Sequence, residues 1–65
     1  MRVIVNGQST DVAAADLTGL LSELDYDGSH LAIAVNHEVV PRRRWRETAL
    51  KTGDSIEILS PRQGG

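Results

Sequence analysis

The residues best placed to do chemistry stand at the end of the sequence, where Gly64 and Gly65 follow Leu59, Ser60, Pro61, Arg62 and Gln63 and leave a bare carboxylate. Without Cβ atoms, two glycines make a thin strip of chain that can thread a narrow channel in a partner enzyme. The same pair also fits a frayed terminus, because chain ends are commonly disordered and glycine there often has no role. Taken by itself, the tail favours that plainer reading. The other chemical cluster is Arg42, Arg43, Arg44 and Arg46, four of the seven Lys and Arg residues in a chain of net charge −2. Interleaved with Trp45, these could contact phosphates and stack on a base, as single-stranded nucleic-acid binders do. The preferred reading needs no nucleic acid: Trp45 packs on the core while the arginines solvate that edge. A middle reading pairs the arginines with carboxylates of a protein partner, which steers encounter.

Other candidates carry less. Asp25 and Asp27 flank Tyr26 in a loop position, with no third ligand in sequence and no calcium-loop spacing, so they read as a solvated loop. His30 and His37 are the only histidines, and with no cysteine in the chain they form no zinc pattern. There is no disulfide, thiol nucleophile, glycine-rich phosphate loop, nucleophile elbow or His-based dyad. The chain is expected to catalyse nothing alone.

These groups must be held by a small fold. Sixty-five residues make one domain, which buries only about 60% of the surface of its unfolded chain and leaves no room for an internal enzyme cleft. A hydrophobic fraction of 40%, mainly Val, Ile, Leu and Ala with Tyr26 and Trp45 as the aromatics, is globular. No apolar run approaches the ~20 residues that span a bilayer, and Met1 leads straight into a strand pattern. A cytoplasmic protein without a membrane partner is the default.

Val3-Ile4-Val5 before Asn6-Gly7, with Gln8 to Val12 returning, predicts a hairpin. Asp16 then caps a helix in which Leu17, Leu20, Leu21 and Leu24 form one stripe, away from Thr18, Ser22 and Glu23. Gly19 lowers the propensity of that helix by up to ~1 kcal/mol, so its leucine face must stabilise it. Leu31 to Val35 is an almost unbroken apolar run and predicts a central strand covered on both faces or nearly so. Asn36-His37 turns it into Glu38-Val39-Val40, which Pro41 closes. Gly53-Asp54 is a further turn signal, before a last strand from Ser55 to Leu59. A hairpin, one helix and further strands make an α+β fold with the helix on one side of the sheet.

Asn6-Gly7, the leucine helix, Ala32-Ile33-Ala34-Val35-Asn36, Val40-Pro41-Arg42, Trp45, Leu50, Gly53-Asp54, Ile56-Glu57-Ile58-Leu59 and Gln63-Gly64-Gly65 stand in one order over nearly the whole chain. In that order and spacing the chain resembles the ThiS family of thiamin-biosynthesis sulfur carriers. The resemblance implies a ubiquitin-like β-grasp, a mixed sheet of four to five strands with one main helix on one face. Residues 1–60 would form this domain and residues 61–65 a flexible tail. It also reverses the reading of the tail, since the family's Gly-Gly end is its reactive end.

The resemblance implies that the Gly65 carboxylate is adenylated by a ThiF-like activating enzyme using ATP and magnesium, with no cofactor bound permanently by the carrier. Sulfur drawn from cysteine through a desulfurase would make Gly65 a thiocarboxylate that serves a ThiG-like thiazole synthase. Alternation puts Ile56 and Ile58 on one face and leaves Leu59 outward as a partner contact. Pro61 would stiffen the exit, Arg62 and Gln63 would bond the channel walls, and Gly64 would pass through it. Two positions depart from the pattern: His37 stands where glycine is frequent, and Arg62 where an apolar residue is common. Two alternatives stay open. One is a carrier for another pathway, such as molybdopterin, cysteine or tRNA thiolation, and the other is a non-catalytic β-grasp binding module.

Overall fold

The computed structural model describes residues 1–26 and 30–60. Its strands are β1 (Arg2–Val5), β2 (Gln8–Asp11), β3 (Ala32–Val35), β4 (Glu38–Val40) and β5 (Ser55–Leu59), with helix α1 (Leu17–Glu23) after β2 and a 3-10 helix, Arg42–Glu47, after β4. The sheet runs in the order β2-β1-β5-β3-β4. Strand β5 lies parallel to β1 and antiparallel to β3, and each outer strand is the antiparallel hairpin partner of its neighbour. This mixed sheet with one α-helix on one face is the β-grasp arrangement.

Both hairpins close as the sequence predicts. Asn6 and Gly7 have φ of 50° and 81°, and Asn36 and His37 have φ of 51° and 73°. Two consecutive left-handed residues give the turn whose twist matches that of the flanking strands. His37 takes this conformation with a Cβ, at a cost of roughly 1–2 kcal/mol that a glycine there would not meet.

In α1, Asp16 accepts a hydrogen bond from Gly19 N at 2.8 Å, which satisfies one of the donors a helix start leaves free. Leu17, Leu20 and Leu21 are buried against Val3, Val5, Ile33, Ile56 and Ile58 of the sheet, with Val12, Trp45 and Leu50 completing the core. Gly19 has a packing reason: a Cβ there would stand 3.3 Å from the Ala14 Cβ and 3.4 Å from the capping oxygen of Asp16. Its absence gives the chain entering the helix room to pass close by.

One expectation needs correction, and one element was not anticipated. The apolar run at Leu31–Val35 is not a central strand covered on both faces. The middle place belongs to β5, and in β3 only Ile33 is fully buried while Ala32 is exposed. One helix covers one side of the sheet, and alanine carries so little apolar surface that Ala32 and Ala34 can face the open side. The unanticipated element is at Arg42–Glu47, where the arginine pattern gave no sign of the 3-10 helix that Pro41 leads into. Short 3-10 turns follow a three-residue repeat that leaves no apolar stripe to read.

Among the described residues no helix is long and apolar enough to cross a membrane. Asp27 and the whole of the expected tail, 61–65, lie outside the described residues.

Candidate functional site

The site predicted from sequence is the end of β5 together with residues 61–65. Leu59 is its one member within the described residues, while Pro61, Arg62, Gln63, Gly64 and Gly65 lie outside them. What the structure shows is how the strand leading to them is held. Toward β3, every residue from Ile56 to Leu59 has a partner, ending at Leu59 opposite Ala32. Toward β1, pairing stops at Val5 opposite Ile56, because the chain leaves the sheet at the Asn6-Gly7 turn.

The turn itself makes up the difference. Asn6 N donates to Ile56 O at 2.8 Å, and the Asn6 side-chain oxygen accepts from Ile58 N at 2.8 Å. The other hairpin does the same at the start of the strand. Asn36 N donates to Ser55 O at 2.7 Å, while Asn36 Oδ1 accepts from Ser55 N at 3.0 Å. The amide of Asn36 also donates to Asp54 Oδ1 at 3.1 Å, and Asp54 Oδ2 accepts from Lys51 N at 2.9 Å. Strand β5 is therefore tied at each end by the first residue of a hairpin turn. Asparagine suits both tasks, since it tolerates positive φ and carries an acceptor on a short side chain.

Alternation along β5 then divides its residues. Ile56 and Ile58 are buried in the core, and Glu57 and Leu59 face outward, with Leu59 66% exposed. Val39 on β4 is 72% exposed, and it pairs with Ala34, which in turn pairs with Glu57. Leu59, Val39, Ala32 and Ala34 line a shallow depression of about 350 Å³ on the side of the sheet away from α1. An apolar patch thus lies where β5 ends. Leu59 was legible in the sequence, but Val39 was missed. Its signal was present in the Glu38-Val39-Val40 alternation, which must send one valine to the open face.

The second cluster lies elsewhere. Trp45 is 4% exposed, and its Nε1 donates to Val40 O at 2.8 Å. The ring is committed to the core and cannot stack on a base, which removes the stacking half of the nucleic-acid reading. Arg42 sits over the ring at 5.8 Å from its centre, within cation–π range. Among the described residues no group of His, Asp and Glu could hold a metal ion. The arrangement offers a rigidly held strand end with an apolar patch beside it.

Comparison with known proteins agrees with this geometry. A family model, described as the ThiS family, matches residues 3–65. The chain is 32% identical over 66 aligned positions to the sulfur carrier protein ThiS of Escherichia coli, covering 100% of both. It is also 32% identical to a segment of a thiazole synthase from Paramagnetospirillum magneticum, where the whole chain spans only 20% of that protein's length. Among solved structures, the crystal structure of a thiamine biosynthesis protein, ThiS, from Geobacter metallireducens matches with a TM-score of 0.83 at 33% identity over 100% of both chains. A solution structure of a thiamine biosynthesis protein from the same organism gives a TM-score of 0.80 at 33% identity, covering 100% of this chain and 88% of that one.

Proposed function

This chain belongs to the ThiS family, and from that premise we propose that it is a sulfur carrier protein of thiamin biosynthesis whose Gly65 carboxylate is the group that carries sulfur. The observation that carries this reading is the extent of the family match, which runs through Gly64 and Gly65. The chain is a protein co-substrate and not an enzyme.

A carboxylate is a poor acyl donor, because the group displaced would be an oxide. A ThiF-like activating enzyme solves this with ATP and magnesium, which it binds itself. A Gly65 oxygen attacks the α-phosphorus, pyrophosphate leaves, and the resulting acyl-adenylate has AMP as a good leaving group. Sulfur drawn from cysteine through a desulfurase arrives as a protein persulfide, whose outer sulfur attacks the carbonyl carbon as AMP departs with the oxygen. A second thiol then cleaves the S–S bond of the acyl disulfide, itself becoming a disulfide, and leaves the thiocarboxylate. Transfer of that sulfur to the forming thiazole returns the carboxylate for another cycle. The difficult step is divided between enzymes, and the small protein supplies the acyl group and its address.

The address is the end of β5. Leu59, with Val39 beside it, gives an activating enzyme an apolar hold next to the tail, while Pro61 stiffens the exit, Arg62 and Gln63 bond the channel walls and Gly64 lets the chain pass. A ThiG-like thiazole synthase as the acceptor is supported by the Paramagnetospirillum protein of that name, which contains a segment similar to this entire chain. The cytoplasm, where ATP and cysteine are at hand, is the compartment this chemistry requires.

The test is a one-residue extension. Adding alanine after Gly65 blocks adenylation at the required atom and is expected to abolish thiazole formation in a reconstituted mixture, while the far-UV spectrum and the unfolding curve stay unchanged. Full thiazole formation with the extended chain would overturn Gly65 as the group that carries sulfur. Copurification with a molybdopterin-synthase large subunit, and not with thiazole synthase, would move the carrier to another pathway.

A further inference from the structure

The carrier reading uses the open face and the tail and leaves the arginine cluster unexplained. That cluster borders an open groove of about 1010 Å³ between α1 and the 3-10 helix. Leu21 and Trp45 form its floor, Arg42, Arg43 and Arg46 stand along one side, and the exposed hydroxyls of Thr18 and Ser22 face them from α1. In a 3-10 helix, side chains three residues apart eclipse one another. This places Arg42 in line with Trp45, whose ring it covers, and Arg43 in line with Arg46.

The second pair is the telling one. Two like charges stacked on one helical turn oppose its formation, and among the described residues no carboxylate pairs with them: the one ion pair there joins the Met1 amino group to Asp11 at 3.6 Å. Glu47 borders the same groove without pairing. A chain of net charge −2 therefore concentrates three guanidiniums, without ion-pair partners among the described residues, on a single groove.

We propose that this groove is a second docking surface, on which a carboxylate-rich segment of a partner protein binds through Arg42, Arg43 and Arg46. Guanidinium groups match carboxylates two bonds at a time, and the hydroxyls of Thr18 and Ser22 can donate to the carboxylate oxygens left over. A protein segment fits better than a nucleic acid on two counts. The only indole is in the core, so bases find no platform, and an acidic surface beyond the groove repels a long phosphate backbone. The surface shares no residue with the depression beside Leu59, so a partner held there leaves the strand end free. The proposal is independent of the chemistry at Gly65.

The test is a titration of the isotopically labelled chain, followed by amide and indole NMR shifts, with a capped eight-residue peptide of Glu and Asp. Shifts confined to residues 18–22 and 42–47 and to the Trp45 indole are expected. They should weaken about tenfold in the Arg43→Glu, Arg46→Glu double variant and stay unchanged in Arg2→Glu, which reverses a charge outside the groove. The spectrum of each variant reports its own folding, and if the double variant unfolds, the Arg46→Gln variant takes its place. Absence of shifts at millimolar peptide would overturn the proposal, as would equal weakening in Arg2→Glu. Inorganic phosphate reproducing the same shifts would make this a small-anion site, and an oligouridylate binding more tightly than the peptide would make it a nucleic-acid site. Either result also overturns it.

Discussion

At the scale of single residues, Asn6 and Leu59 carry the account. Asn6 holds a left-handed turn and caps the Ile58 N–H, a donor that β1 is too short to reach. Glycine would keep the turn and lose the cap, so Asn6→Gly is expected to lower stability by about 1–2 kcal/mol, the cost of a half-buried donor left without its partner. Urea unfolding gives this number, and amide exchange at Ile58 should quicken along with it. Leu59 is the converse case, exposed and doing nothing for the core. Leu59→Asp is expected to leave stability within about 0.5 kcal/mol of the parent and to raise the KM of the activating enzyme for the carrier. A lowered stability with unchanged KM would mean that Leu59 belongs to the fold and not to recognition.

At the scale of elements, α1 is held by more than its leucine stripe. The carboxylate of Glu23 accepts hydrogen bonds from Ala13 N at 3.1 and 3.0 Å and from Ala14 N at 2.9 Å. It thereby joins the end of the helix to the segment that enters it. Alanine is the better helix former, so if Glu23→Ala still destabilises, by about 1 kcal/mol in urea, the loss reports these bonds and not helix propensity. Local signals made the elements themselves legible: Asp16 before the Leu17, Leu20, Leu21 stripe, Asn-Gly between strand patterns, and the Ile56 and Ile58 alternation. Glu23 read only as a polar residue off the stripe, since its partners lie nine and ten positions back along the chain. The 3-10 helix escaped notice because four arginines in six residues show no periodic apolar face.

At the scale of the whole molecule, the fold is a sheet covered on one side, and that asymmetry decides which surfaces are available. It leaves Ala32, Ala34, Val39 and Leu59 on open ground, and it gathers the arginines at the helix side. The sequence pattern foretold an α+β sheet with a helix on one side, and the family resemblance the β-grasp. Leu31–Val35, however, was read as covered on both faces or nearly so, because a run of Ala, Ile and Val looks alike in a two-faced and a one-faced strand. The ties on β5 were equally hidden: Asn6 reaches Ile58 across 52 positions, and Asn36 reaches Ser55 across 19. A single small core also makes the fold vulnerable. Ile56 is fully buried on the middle strand, and Ile56→Ala is expected to cost about 2–5 kcal/mol. In a domain this size that is a large part of the total stability, so the variant should be substantially unfolded by circular dichroism at 37 °C.

The central claim is that sulfur rides on Gly65, and intact-mass spectrometry tests it most directly. The chain is incubated with its cognate activating enzyme, ATP, magnesium, a cysteine desulfurase and cysteine, and weighed. A gain of about 16 Da, the exchange of one oxygen for sulfur, is the predicted result, with fragmentation placing it on Gly65. An unchanged mass, in a mixture whose enzymes charge the Escherichia coli sulfur carrier, would contradict the account.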